Sequence, residues 1–133
     1  MLSTIRTLIS QRVEAYQDLD AKRLAALETP DVEIVDRFGE LHLPSGRNEN
    51  EKLSSDAFAI LSRNTPPPTV TIGRIRFLRP DGAVVQVFWR FPEGILLADE
   101  ERIPSFSQVD TYVVIKQQSF WLVAAYIMQE KEP

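Results

Sequence analysis

Ile5, Leu8, Ile9, Val13 and Tyr16 recur at helical intervals, which stacks their side chains on one face of an α-helix. With Ser3 or Thr4 available to cap the free amides at the start, the spacing predicts a first helix running to about Asp18. Asp20 can cap a second, shorter helix carrying Leu24 and Leu27. Thr29-Pro30 ends it, because proline disfavours a helical conformation in the residue before it. The pattern then becomes alternating. Val32, Ile34 and Asp36 interleave with Glu33, Val35 and Arg37, and Phe38-Gly39-Glu40 offers a turn into Leu41-His42-Leu43, completing a short hairpin. Asn48 and Glu51 have capping-box spacing. Leu53, Ala57, Ile60 and Leu61 supply the stripe of a third helix, which Pro66-Pro67-Pro68 stops.

From there the pattern is strand after strand: Thr69 to Arg79, Ala83 to Phe91, Ser105 to Lys116 and Phe120 to Gln129. Pro80-Asp81-Gly82 and Gln117-Gln118-Ser119 are tight connections, so these segments predict a long antiparallel meander. In the first of them the apolar parity shifts from Val70 and Ile72 to Ile75 and Phe77, and Gly73 sits where a bulge would cause that shift and bend the sheet. Glu93 to Pro104 is a long connection suited to a rim or lid, and the tail after Gln129 is expected to fray. In the last strand Phe120, Leu122, Ala124, Tyr126 and Met128 face one way and Trp121, Val123, Ala125 and Ile127 the other, so both faces are apolar. The helices can cover only one face. The other is expected to pack on a second copy across a two-fold axis, giving a homodimer that a charge at whichever of Val123 or Tyr126 faces outward would break.

Composition narrows the picture by exclusion. The 133 residues suit a single domain spanning 1–133, and 44% hydrophobic against 26% charged residues provides enough apolar surface for a core. A net charge of -4, spread along the chain, leaves no basic stripe for a phosphate backbone, so nucleic acid is not an expected partner. There is no cysteine and one histidine, which removes thiolate chemistry and the usual metal ligands; neither a metal nor a cofactor is expected. The longest apolar run, Phe120 to Met128, is too short to span a bilayer, and the expectation is a cytoplasmic protein with no membrane partner.

Two segments, AYQDLDAKRLAALETPDVEIVDRFGE and VDTYVVIKQQSFWLVAAY, carry an Asp after the first helix, a "veivdrfG" strand and a final strand with Trp followed by an aromatic. Together with Gly46-Arg47 before the third helix and the order of elements, they resemble the SnoaL-like branch of the nuclear transport factor 2-like superfamily. The resemblance implies an α+β, ketosteroid isomerase-like cone, with three helices packed on a strongly curved, mainly antiparallel sheet around an internal pocket. It also makes Asp36 look like the catalytic base of ketosteroid isomerases and Asp110 like their second, hydrogen-bond-donating acid. The isomerase tyrosine that polarises the substrate carbonyl falls on Arg12, with Tyr16 one helical turn later. Limonene epoxide hydrolases need an arginine where this chain has Gln108, and scytalone dehydratase-like chemistry needs two histidines.

The residues can also be read by themselves. Asp36 shares a strand face with Val32 and Ile34, where desolvation raises a carboxylate's proton affinity as a general base requires. The alternative is a strand-end aspartate salt-bridged to an arginine or hydrogen-bonded into the Phe38-Gly39 turn. Asp110 lies mid-strand beside Gln108 and Tyr112, as a tuned acid or as a buried acid paired with Arg12 or Arg90. His42 can reach the pocket mouth as a proton shuttle or stand in solvent. Tyr16, Trp89 and Tyr126 can stack on a flat ligand or pack the core. The candidate catalytic residues are thus Asp36 and Asp110, and the candidate ligand-binding residues Tyr16, Arg12, His42, Trp89, Gln108 and Tyr126. The expected function is binding of a small hydrophobic molecule, with cofactor-free isomerase- or cyclase-like proton transfer. The competing class is a non-catalytic assembly module whose cone is filled by its own side chains.

Overall fold

The computed structural model describes residues 2–36, 38–41 and 46–131. Helix α1 (Leu2–Gln17) buries Ile5, Leu8, Ile9, Arg12 and Ala15, so the periodic apolar face does turn inward and takes an arginine with it. Helix α2 (Ala21–Ala25) is capped as its sequence predicts, the Asp20 side chain accepting from the Arg23 amide at 3.1 Å. Strand β1 (Glu28–Val35) begins earlier than alternation suggests. Thr29-Pro30 lies inside this strand and does not terminate the helix. β1 is an edge strand whose pairing is irregular between Glu28 and Glu33, and a proline lacking an N–H is tolerated there. The predicted hairpin survives as a single bridge between Val35 and Leu41; His42 and Leu43 lie outside the described residues.

Helix α3 (Arg47–Ala59) starts at Gly46, not at an Asn48 capping box, and presents a different face from the one its apolar residues suggest. Leu53 and Ile60 are exposed, while Asn50 is buried and Ser54 and Phe58 are half-buried on its turn-spaced face. Leu61 falls beyond the helix and bridges to Leu97. The meander follows as β2 (Thr69–Arg79), β3 (Gly82–Phe91), β6 (Phe106–Gln117) and β7 (Phe120–Lys131). Between β3 and β6 the small hairpin β4 (Ile95–Leu96) and β5 (Arg102–Ile103) stands apart at the rim. The main sheet has the order β1-β7-β6-β3-β2; every pair is antiparallel except β1 with β7.

Pairing of β2 with β3 slips between Ile72 and Ile75, where parity and Gly73 predict a bulge. A side chain at Gly73 would meet the Phe88 ring at 2.5 Å, so glycine is the residue that lets this bend close. A second slip has larger consequences. Val113 pairs with Ala125 but Val114 with Val123, so Ala124 is an extra residue and the alternation of β7 reverses there. Trp121, Val123 and Tyr126 consequently all face inward, while Ala125 and Ile127 face outward. The expectation that Val123 and Tyr126 point to opposite faces is corrected by this bulge. The strand also stays paired to Lys131, beyond the expected fraying point.

α1 lies across the concave face against β2 and β7, and α3 lies beside β1. Ile5, Leu8 and Ile9 meet Val85, Val87, Val114 and Val123 in one core, where each fully buried aliphatic side chain contributes about 1.5–3 kcal/mol.

Candidate functional site

The interior of the cone is unusually polar for a core. Arg12, on the inward stripe of α1, is about 5% exposed, and its Nη1 donates to Glu28 Oε2 at 3.2 Å. Glu28, the first residue of β1, is fully buried. Asn50 Nδ2 donates to both of its oxygens, at 2.6 and 2.7 Å. Backbone geometry brings α3 to this point: the Gly46 amide donates to Val32 O at 3.0 Å, with φ +127° and only 3.2 Å between a would-be Cβ and Pro30 O. Arg47 Nη1 then reaches the Glu28 carbonyl at 3.4 Å.

The Arg12 guanidinium also stands 5.0 Å from the Tyr112 ring centre and 4.9 Å from that of Tyr126. Burial alone would lower its proton affinity. The facing tyrosines and Glu28 more than offset this, and it stays charged. Burial is the dominant influence at Glu28 and pushes its carboxyl up, with Arg12 and Asn50 pulling back.

Beyond Tyr112 lies Asp110, about 5% exposed in the middle of β6. Gln108 Nε2 donates to its Oδ1 and the Tyr112 hydroxyl to its Oδ2, each at 2.8 Å. Neither expected arginine pairs with it: Arg12 goes to Glu28, and Arg90, on the outer side of β3, donates to Ser107 Oγ. Its proton affinity is raised, first by burial, against the pull of Tyr112, Gln108 and the more distant Arg12. The Trp89 indole N–H stands near this carboxylate and favours its charged form weakly, without a hydrogen bond of good geometry. Among the described residues Arg12 is the buried cation and it pairs with Glu28, while Asp110 feels it only from a distance; the neighbouring phenols of Tyr112 and Tyr126, both shifted upward by burial, remain neutral.

Asp36 takes its turn-forming alternative. Its Oδ1 accepts from the Phe38 amide at 2.9 Å and the Glu40 amide at 3.1 Å, an Asx-type turn reinforced by Gly39 N to Asp36 O. Strand parity directs the residue to the inner side, but local amides take the carboxylate. Tyr16 packs edge-on against Trp89 at 5.4 Å, Phe91 at 6.3 Å and Phe58 at 5.8 Å, and burial pushes its hydroxyl up to about 12. A stacked ladder continues from Trp89 to Phe91 and on to Phe106.

A cleft of about 220 Å³ opens beside Tyr16 and Phe91, bounded by Leu61, Arg63, Pro67 and Ile95. Of the residues singled out from the sequence, Tyr16 lines it. Trp89 is the next layer inward, and Arg12, Asp110, Gln108 and Tyr126 belong to the network behind. His42 lies outside the described residues. Glu28 and Asn50 were not signalled by apolar alternation, although Asn50, Ser54 and Phe58 do share a helical stripe. Among the described residues no group of histidines and carboxylates is arranged to hold a metal ion, and no helix is long and apolar enough to cross a membrane.

No protein-family model matches the chain, and no curated protein matches it. Solved structures do. A ketosteroid isomerase-like protein from Erwinia carotovora atroseptica superposes with a TM-score of 0.84 at 14% identity, over 99% of this chain and 97% of that one. An NTF-2-like protein of unknown function from Shewanella oneidensis gives 0.75 at 16% identity, over 96% and 98%. A scytalone dehydratase-like protein from Novosphingobium aromaticivorans gives 0.74 at 14%, over 98% and 84%. At such identities the likeness concerns the fold.

Proposed function

We propose that this chain, which has the nuclear transport factor 2-like fold, works as a homodimer that binds a small, largely hydrophobic molecule in the cleft beside Tyr16. The cleft carries the reading: the Tyr16 and Phe91 rings floor it, and Leu61, Ile95 and Pro67 wall it. Its volume of about 220 Å³ is below the roughly 300 Å³ at which pockets for drug-sized ligands begin, so the ligand is the size of a single ring. The chemistry best suited to the interior is cofactor-free proton transfer by Asp110, whose carboxyl is disposed to hold a proton. That use requires the Tyr16 ring to move off Trp89, because their contact separates the cleft from Asp110. Asp36 is not assigned the base, since its carboxylate organises a turn.

Dimerisation is supported by the outer face of the sheet, where Phe88, Val113 and Ile127 are 36%, 37% and 43% exposed around half-buried Val84, Val109 and Ala125. Native mass spectrometry of the purified protein, with a panel of single-ring ligands, tests the binding reading; Tyr16→Ala should abolish retention. Sedimentation tests the dimer, and Ile127→Glu should yield monomers. A monomeric parent protein at micromolar concentration refutes that part.

One observation favours the assembly-module reading: the Arg12 guanidinium stands against the Tyr112 and Tyr126 rings and occupies the middle of the cone. A dimer that retains no ligand from the panel would select it.

A further inference from the structure

The groups around the cleft differ in what they offer a ligand. Arg63 is the one ionised side chain among its lining residues, and no lining residue is a carboxylic acid. Arg63 uses Nη1 on the Asp18 carbonyl at 3.2 Å, and its other N–H donors have no partner among the described residues. The Tyr16 hydroxyl likewise has no partner among them, and with its affinity for the proton raised to about 12 it is a neutral donor. The Thr65 hydroxyl is already engaged. Its single O–H stands 2.9 Å from Ser62 O and 3.0 Å from Leu96 O and its oxygen accepts from the Leu96 amide, whereas Ser62 Oγ accepts from the Asn64 amide and its O–H has no partner among the described residues. What is left unspent is one cation, the Tyr16 phenol O–H, the Ser62 O–H and the neutral Gln17 amide, so the only charge the cleft offers a ligand is positive. Pro66, Pro67 and Pro68 hold the rim in a restricted backbone conformation, so little ordering is needed on binding.

We infer that the cleft selects a small monoanionic acid with a flat apolar body, its carboxylate held by Arg63 and the Tyr16 hydroxyl and its ring against Tyr16 and Phe91. The inference rests on the cleft being a ligand site and adds the chemical class of the ligand. Guanidinium and carboxylate are matched in shape as well as charge, and a phenol O–H can donate to the same group. A ring on the floor meets the Tyr16 ring and Phe91, the middle member of a stack in which it lies 4.6 Å from Phe106 and 6.2 Å from Trp89. A cationic or strongly acceptor-poor molecule finds no complementary charge there. Arg63 is exposed, so its attraction is screened by salt and the preference for an acid is moderate.

The test is calorimetric titration of the full chain with benzoate, benzamide and benzyl alcohol, which share a ring and differ in charge. Benzoate should bind about tenfold more tightly than either neutral probe at low ionic strength, and rising salt should weaken benzoate alone. Arg63→Gln should remove that preference without changing benzamide affinity, Arg63→Lys should keep part of it, and Tyr16→Phe should weaken benzoate a few-fold while sparing benzyl alcohol. Arg63 is exposed and Tyr16→Phe keeps the packed ring, so these variants are expected to fold, which circular dichroism checks. Equal affinity for the three probes, or a preference that survives Arg63→Gln, overturns the inference and leaves the hydrophobic binding reading standing. Absence of binding by all three overturns both.

Discussion

Replacing Arg12 with methionine keeps much of the volume of the side chain and removes the one charged group hydrogen-bonded to the Glu28 carboxylate among the described residues. Glu28 is fully buried, and removing one partner of a buried ion pair costs about 3–5 kcal/mol because the remaining charge is left uncompensated. The lower end applies here, since Asn50 still donates to both carboxylate oxygens and Arg47 remains near. About 3 kcal/mol is a large share of the roughly 5–15 kcal/mol that holds a domain folded. The loss should depend on pH in a definite sense. Burial already holds the Glu28 carboxyl above the usual range, and removal of Arg12 lifts it further. A group raised in the folded state contributes its stability below its unfolded value and loses it as pH rises through the folded one. The deficit of Arg12→Met should therefore be largest at neutral pH and shrink over the acidic range in which Glu28 takes up a proton. A residue of about 1 kcal/mol should remain from the lost contacts with the Tyr112 and Tyr126 rings. Urea unfolding followed by fluorescence of Trp89 and Trp121, across that pH range, measures it, and Arg12→Met with Glu28→Gln should recover most of the loss. A deficit below about 1 kcal/mol at pH 7, or one that does not change with pH, refutes the reasoning.

Asp110→Asn should flatten the pH dependence of stability: the buried acid is raised in the folded state, so the parent protein weakens as pH rises and the variant does so less. Denaturation midpoints at pH 5 and pH 8 that differ equally in both proteins count against it. Asp36→Ala should cost about 1 kcal/mol in thermal unfolding through the lost Phe38 and Glu40 amide bonds, and leave ligand affinity in the cleft unchanged. A large loss of binding would return Asp36 to the site. Gly94→Ala places a Cβ 1.8 Å from Ile103 O at φ +71°, so β4 and β5 must separate. Hydrogen exchange at Ile95 and Ile103 should accelerate and ligand affinity should fall; unchanged exchange contradicts this.

Local pattern alone determined the first helix, the Asp20 cap, the four-strand meander and the Gly73 bend, because each depends on a periodicity or backbone preference a few residues long. It also placed Asp110 and Gln108 on one face of a strand, whereas Arg12, outside the apolar stripe read in the first helix, was singled out by the resemblance and as a partner for Asp110. The tertiary structure decided the rest wherever a polar group had to find a partner far along the chain. Arg12 and Asn50 lie 16 and 22 residues from Glu28, and only the close approach of the Gly46 loop to β1 brings α3 over that carboxylate. The same requirement turned Asn50 inward in place of Leu53 and Ile60, since a buried charge without donors costs more than two half-exposed aliphatic side chains. Asp36 shows the reverse case: strand parity aimed it into the cone, but amides two and four residues away captured its carboxylate. In β7 one extra residue at Ala124 reversed the facing of everything beyond it. No alternation in the sequence reveals such a slip, because it arises from pairing with β6 and the bend of the sheet that both strands must share.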